Sequence, residues 1–307
     1  MTSLKRDSFG NLVKGELAVL LLRLIAFLPL SLSQKLGAFM GYLSFVLNTR
    51  EVQIAKQNIS LCFSEMDSVS RKLLLRQYCV ESGMLAVETA FAWFNRPEKV
   101  IKQIRDVQGE HFMEAAHAQN SGVIVVLPHL GNWEMLNAYI LSKYSGSAMY
   151  TPARLKAVNR VMIAGRERTG LKLEEASSKG VLGLFKTLKK GGTLFILPDQ
   201  EPSVESGEFA PFFGIETLTM TLISKLANKS QAPAIIAYAK RNGVGEGFSI
   251  VFKSLDSSLS SDDIHISLKT LNEAVEACVR ENPTQYLWGY KRFRKKPEGE
   301  QSRYKKK

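Results

Sequence analysis

Cysteine is scarce and unpaired. Cys62, Cys79 and Cys278 are an odd number without a Cys-x-x-Cys pair, which excludes a disulfide framework and a cysteine-built zinc site and fits a reducing compartment. The four histidines, His111, His117, His129 and His265, are scattered without metal-ligand spacing, so neither a metal nor a cofactor is expected. Acidic residues are in deficit, 29 against 41 Lys plus Arg, for a net charge of +12. No nucleic-acid recognition motif accompanies that charge, which leaves nucleic acid out as a partner. The excess is uneven: residues 291–307 hold nine basic and two acidic side chains, or +7, and the other 290 residues carry only +5. Such an end suits an acidic protein or an anionic lipid leaflet, or is simply a solvated tail.

A clear membrane span is also missing. Between residues 17 and 47 the only charges are Arg23 and Lys35, but Pro29 divides the stretch. Proline disrupts a helix interior, so two helices are predicted, at about 11–27 and 33–47. Neither half clearly reaches the roughly 20 apolar residues of a spanning helix. No small-x-small cleavage site follows the first run, so the segment is expected to stay attached. A tilted span, a helical pair lying in the membrane interface and a buried hairpin all remain open. Residues 50–95 then have a helical pattern that Arg96-Pro97-Glu98 breaks.

What the chain does have is centred on Ser121-Gly122-Val123-Ile124-Val125-Val126-Leu127-Pro128-His129-Leu130-Gly131-Asn132-Trp133-Glu134. The β-branched run is a strand buried on both faces, Pro128 and Gly131 turn the chain, and Asn132 is a helix N-cap. His129 therefore sits at the carboxyl end of an inner strand, where open α/β sheets bind ligands. Glu134, in the first helical turn, is placed to fold back on the imidazole, orient it and stabilise its protonated form. The alternative is that Glu134 only answers the helix dipole and His129 is a turn residue.

Further apolar strands are predicted at 147–151, 193–197, 233–239 and 248–252, the last two as a hairpin, interleaved with helices. This is an α/β fold with a largely parallel mixed sheet flanked by helices. The strand at 193–197 ends in Pro198-Asp199-Gln200, so parallel strands bring Asp199 to the same edge as His129. In the basic segment before Gly170, Arg166 and Arg168 are candidate anion ligands. Residues 207–214 are expected to form a loop with aromatic walls, and Thr217, Thr219 and Thr221 to open a helix, either holding a phosphate or capping. A last helix is predicted over 263–281. The aromatic and basic residues of 283–294 suit a membrane interface or a polar head group.

His129-Leu130-Gly131-Asn132-Trp133-Glu134, Pro198-Asp199-Gln200, Pro211-Phe212-Phe213-Gly214 and the stretch 283–293 together resemble the bacterial lipid A late acyltransferase family. These are the lauroyl- and myristoyl-type transferases of lipopolysaccharide assembly, within the His-x4-acidic glycerolipid acyltransferases. The resemblance implies a membrane-associating helical segment at 1–49, an acyltransferase domain at 50–295 and a basic tail at 296–307. It implies acyl transfer from an acyl carrier protein thioester to a hydroxyl of a lipid A precursor, at the cytoplasmic face of the bacterial inner membrane and among its lipids. His129 would be the base and Glu134 its orienting acid, with Asn132, Arg166, Arg168 and Asp199 meeting substrate and the oxyanion held by amides near Gly131 or by Arg166. Two departures bear on the acceptor: Pro-Asp-Gln-Glu-Pro replaces the Glu-Gly-Thr-Arg of the glycerolipid branch, and Tyr150-Thr151-Pro152 replaces Tyr-Arg-Pro. A lysophospholipid, an amino-acid lipid or a glycolipid acceptor, or a non-catalytic lipid-binding protein of this fold, are the alternatives.

Overall fold

Pro29 ends one helical ladder and starts another, as its fixed φ and missing N–H require. The computed structural model describes residues 9–304 and places α1 (Phe9–Phe27) and α2 (Leu30–Val46) on either side of it. The outermost parts of the apolar segment and of the basic tail, residues 1–8 and 305–307, lie outside the described residues. The helical pattern expected over 50–95 is two helices, α3 (Arg50–Cys62) and α4 (Ser68–Phe94). Asp67 separates them by capping α4, accepting from the N–H groups of Val69 and Ser70 at 2.8 and 3.0 Å. Then follow α5 (Pro97–Ile101), β1 (Ile104–Gln108), α6 (Glu110–Ala118), β2 (Val123–Val126), α7 (Trp133–Leu141), β3 (Gly146–Tyr150), α8 (Lys156–Arg168), β4 (Leu171–Glu175) and α9 (Ser178–Lys189). The chain continues through β5 (Thr193–Ile196), β6 (Gly207–Phe212), β7 (Ile215–Met220), α10 (Leu222–Ser230), β8 (Ala234–Gly243), β9 (Gly247–Ser254) and α11 (Ile264–Glu281).

The main sheet has seven strands in the order β1-β9-β8-β2-β5-β3-β4. β2, β3, β4, β5 and β8 run in one direction, while β9 is antiparallel to β8 and β1 follows β9. Alternation along β2 feeds two cores. Val123, Val125 and Leu127 pack with Met135, Leu136 and Ile140 of α7, whereas Ile124 and Val126 pack with residues of α3, α9, α10 and α11. A strand sandwiched in this way must be apolar at every position, which is why its sequence is an unbroken β-branched run.

The edge strands β1 and β4 were not apparent in the sequence, because Ile-Arg-Asp-Val-Gln and Leu-Lys-Leu-Glu-Glu carry the charges that exposed edges tolerate. The segment expected as an aromatic loop and a threonine-opened helix is instead the hairpin β6–β7 up to Met220, and only Thr221 of the three threonines opens a helix, as the N-cap residue of α10. Thr217 and Thr219 are buried on β7, where their hydroxyls donate to the carbonyls of Ile215 and Thr217, so they hold no phosphate there. β-branched residues at alternate positions favour a pleated strand over a helix start. The 283–294 stretch is turned partly inward, with Arg294 exposed. Tyr286, Trp288, Arg292 and Phe293 are buried, and Tyr304 of the following segment folds back to donate to Asn58 Oδ1 at 2.5 Å.

α2 packs closely on α4. A Cβ added to Gly83 would come within 2.1 Å of the Gly37 carbonyl oxygen, and one added to Gly41 within 2.0 Å of that of Cys79. Only glycine allows that approach, and no flexible side chain is available to yield. Gly83→Ala is therefore expected to cost about 1–3 kcal/mol of stability, the usual penalty of overpacking. Chemical denaturation in detergent should show the loss together with faster proteolysis within α2; an unchanged transition would contradict this packing.

Candidate active site

The pairing of β2 with β5 builds the site. Val126 lies opposite Ile196 in parallel register, and both strands continue as Leu-Pro, Leu127-Pro128 and Leu197-Pro198. Three residues beyond the paired positions, His129 and Asp199 meet. The Asp199 carboxylate accepts from the imidazole Nδ1 at 2.7 Å through Oδ1 and from the His129 backbone N–H at 2.8 Å through Oδ2. The Nδ1–H tautomer leaves Nε2 as the basic atom, and Gln200 donates to it at 3.2 Å. Trp133 packs its ring edge-on against the imidazole at 4.9 Å. Burial opposes ionisation of Asp199, but the neighbouring His129 and its two hydrogen bonds outweigh it and hold the carboxyl below its ordinary range.

Asp199 was expected to meet substrate and Glu134 to orient the ring; the structure places them otherwise. The carboxylate bonded to the imidazole is Asp199. Glu134, buried in the first turn of α7, is held by Arg166 of α8, whose Nη2 reaches Oε1 at 2.7 Å and whose Nε lies 3.1 and 3.3 Å from the two oxygens. Two guanidinium nitrogens on one carboxylate make a charge-assisted pairing stronger than a single neutral hydrogen bond. The physical reason for the difference is direction: the helix N-cap points Glu134 along α7 toward α8, while strand register delivers Asp199 directly to the ring.

Asn132 is fully buried and also taken up by structure. Its Oδ1 caps α7, accepting from Glu134 N–H at 3.1 Å and Met135 N–H at 3.2 Å, and its Nδ2 donates to Glu88 of α4 at 3.3 Å. Glu88 is itself wholly buried and paired with Arg241 of β8, and it accepts from Gln34 of α2 at 2.7 Å. The amides near Gly131 expected to hold an oxyanion are likewise engaged: Gly131 N–H donates to the Gln285 carbonyl at 3.0 Å and Asn132 N–H to that of Ala239 at 2.8 Å. Gly131 itself has φ +63°, and a Cβ there would lie 2.0 Å from the Ala239 carbonyl oxygen, so the turn requires glycine. Arg168 stands apart from this group. It donates to the carbonyl of Trp93 at 2.7 Å and closes the carboxyl end of α4, a cation answering free carbonyls.

Sequence reasoning missed Gln200 as a contact of the imidazole, although it lies in the Pro198-Asp199-Gln200 block. It also missed the stretch 283–293 as part of the site. Leu287 N–H donates to the His129 carbonyl at 3.0 Å, and Tyr286, Trp288, Tyr290, Arg292 and Phe293 line with His129, Asp199 and Gln200 one small cavity. The sequence signals were its place among the blocks that carry the resemblance and a density of aromatics, which suits a cavity wall as well as a membrane interface.

A buried carboxylate hydrogen-bonded to an imidazole that lines a cavity at the carboxyl edge of the parallel strands is an arrangement suited to an α/β enzyme site. The comparisons give the class a family. The model describing bacterial lipid A biosynthesis acyltransferases matches residues 11–295, and the chain belongs to that family. It is 29% identical over 289 residues to the Escherichia coli lipid A biosynthesis lauroyltransferase, covering 94% of each chain. It is 27% identical over 270 residues to the palmitoleoyltransferase, covering 88% of this chain and 87% of that one. Against the myristoyltransferase, also of Escherichia coli, it is 27% identical over 277 residues, covering 89% and 83%. The protein is an acyltransferase.

Because the folded-state Asp199 carboxyl is depressed, its contribution to stability is present above the unfolded value of about 4 and is lost as pH falls toward the folded value. Urea unfolding between pH 6 and pH 3 should therefore show a shallower acid loss in Asp199→Asn than in the wild type. Equal slopes would mean that the carboxylate is not ionised against His129.

Proposed function

We propose that the protein transfers a fatty acyl chain from an acyl carrier protein thioester to a hydroxyl of a lipid A precursor, with His129 as general base and Asp199 as its orienting carboxylate. The observation that carries the reading is the 2.7 Å contact between His129 Nδ1 and Asp199 in a chain that matches the family from residue 11 to residue 295. The acceptor hydroxyl takes the place of Gln200 at Nε2 and gives up its proton there as its oxygen attacks the thioester carbon. The tetrahedral oxyanion then collapses, the carbon–sulfur bond breaks, and the departing thiolate recovers the proton from the imidazolium. No covalent enzyme intermediate is needed. Asp199 stays ionised throughout and stabilises the imidazolium as it forms.

Glu134 enters this scheme through Arg166. Their fork uses Nε and Nη2 and leaves Nη1 outside the pair, so Arg166 is the donor we assign to the developing oxyanion, now that the amides of Gly131 and Asn132 are taken up within the fold. Asn132 and Arg168 are assigned to the scaffold.

Attachment to the cytoplasmic face of the bacterial inner membrane is part of the same proposal. No described helix is long and apolar enough to cross a membrane. The exposed side chains of α1 and α2 nevertheless include Leu17, Leu20, Leu24, Phe27, Phe39 and Leu43, which supports the form in which the two helices lie in the interface.

Purified protein given acyl carrier protein thioester and a tetra-acylated lipid A precursor should yield a lipid heavier by one acyl chain in mass spectrometry. His129→Ala should abolish the product, and Asp199→Asn should lower kcat about 10³- to 10⁴-fold, as loss of the orienting acid does in related dyads. Turnover persisting in His129→Ala would remove the proposed base. Product formed only with another lipid hydroxyl would move the acceptor but keep the chemistry.

A further inference from the structure

Arg292 is a buried cation beside the dyad. Its side chain is 3% exposed, it lines the cavity shared by His129 and Asp199, and its ring neighbour is Phe212, whose centroid lies 5.6 Å from the guanidinium carbon. Among the described residues, both hydrogen bonds of its guanidinium are to uncharged oxygens, Nη1 to the Leu218 carbonyl at 2.6 Å and Nη2 to Thr219 Oγ1 at 3.2 Å. Its Nε has no hydrogen-bond partner among the described residues although it is out of contact with solvent. A full positive charge in such a place is unfavourable unless a nearby anion balances it. Asp199, itself buried, is the carboxylate in the same cavity. The other groups acting on Arg292 are Glu201, Tyr286 and Tyr290, with Cys62 and Tyr304 feeling its charge in turn. Glu201 is already paired with Arg294 at 3.1 Å, and burial pushes the Tyr286, Tyr290, Tyr304 and Cys62 protons toward staying bound.

We infer that Arg292 is a positioning charge of the dyad: it balances the Asp199 carboxylate, so that His129 rests as the neutral base, and it is matched again when imidazolium and oxyanion form together. The inference rests on the general-base reading of His129. With His129 neutral, Asp199 and Arg292 cancel. Without Arg292 the buried site would carry one negative charge at rest, and the imidazole would supply the missing cation by taking a proton from solvent before any acceptor arrived. During transfer the imidazolium and Arg292 face Asp199 and the oxyanion, and the site is again neutral. Arg292 touches no reacting atom in this scheme and acts through Asp199. Asp199 feels the charge of Arg292 after that of His129, which is the coupling the scheme needs.

The test is titration of His129 by NMR in histidine-labelled protein, its signal identified with His129→Ala, beside the pH profile of kcat/KM. Arg292→Gln drops the charge but can still donate a hydrogen bond, and Arg292→Lys keeps the charge. In Arg292→Gln the His129 pKa and the acid limb of kcat/KM should both rise by about one unit, a tenfold change in the fraction of neutral base at a given acid pH. KM for the lipid acceptor should stay nearly constant, and Arg292→Lys should restore the limb. A His129 titration in Arg292→Gln that matches the wild type overturns the inference, as does an Arg292→Lys limb displaced as far as that of Arg292→Gln. If Arg292→Gln does not fold by circular dichroism, Arg292→Lys decides alone: a wild-type limb supports the role of the charge and a limb moved by about a unit overturns it. The NMR titration needs no substrate, so a wild type inactive on lipid A precursor would defeat the proposed function and leave this result standing.

Discussion

The parallel register between β2 and β5 is the constraint on which the rest of the site depends. Val126 opposite Ile196 fixes where both chains leave the sheet, and the two Leu-Pro steps carry them the same distance to His129 and Asp199. A slip of one residue would turn every β2 side chain to the other core and move the carboxylate away from the ring. Such a slip is strongly opposed, because Ile124 and Val126 fill one core and Val123, Val125 and Leu127 the other. The hydrophobic cores thus specify a 2.7 Å hydrogen bond lying outside them.

Around that pair the turn is fixed from several independent elements. Asp199 holds the His129 backbone as well as its ring, Leu287 N–H holds its carbonyl, Gln285 and Ala239 hold the next amides, and Glu88 holds the cap residue Asn132. Glu88 also receives Gln34, so the apolar helix α2 is hydrogen-bonded to the same cluster that anchors the turn. Single buried carboxylates would be costly here, and each is accompanied: Asp199 by His129, Glu134 by Arg166, and Glu88 by Arg241. In the proposed mechanism, holding the imidazole this firmly lowers the cost of aligning it with an incoming hydroxyl, which is how orientation contributes to rate.

Much of this was legible in the sequence, and the parts that were not share a cause. The inner strands, the break at Pro29, the Asn132 cap and the common edge of His129 and Asp199 follow from local pattern, because period, capping and proline are properties of a few adjacent residues. The choice between Glu134 and Asp199 as the partner of the imidazole depends on register between strands 70 residues apart. Local spacing favours the nearer acid. The hairpin β6–β7 was masked by aromatics and glycines that equally suit a loop, and β1 and β4 by charges that equally suit a helix surface. The 283–294 stretch shows the same ambiguity at its sharpest, since aromatics beside arginines fit a lipid interface and a cavity wall alike.

The inward fold of that stretch changes what its basic residues do. Arg294 is exposed and pairs with Glu201, whereas Arg292, two residues earlier, is enclosed with aromatic rings and the Asp199 carboxylate. Net charge alone treats the two as equivalent contributions to a cationic end. Their energetics differ, because an exposed charge is screened by water and salt while a buried one acts on its neighbours through a poorly screening medium. An arginine is suited to the inner position since it stays protonated even where burial lowers its pKa, as it does here. In the proposed scheme the fixed cation and the imidazole share one carboxylate, and whichever of them Asp199 neutralises at rest decides whether the enzyme meets its acceptor with a base or with an acid.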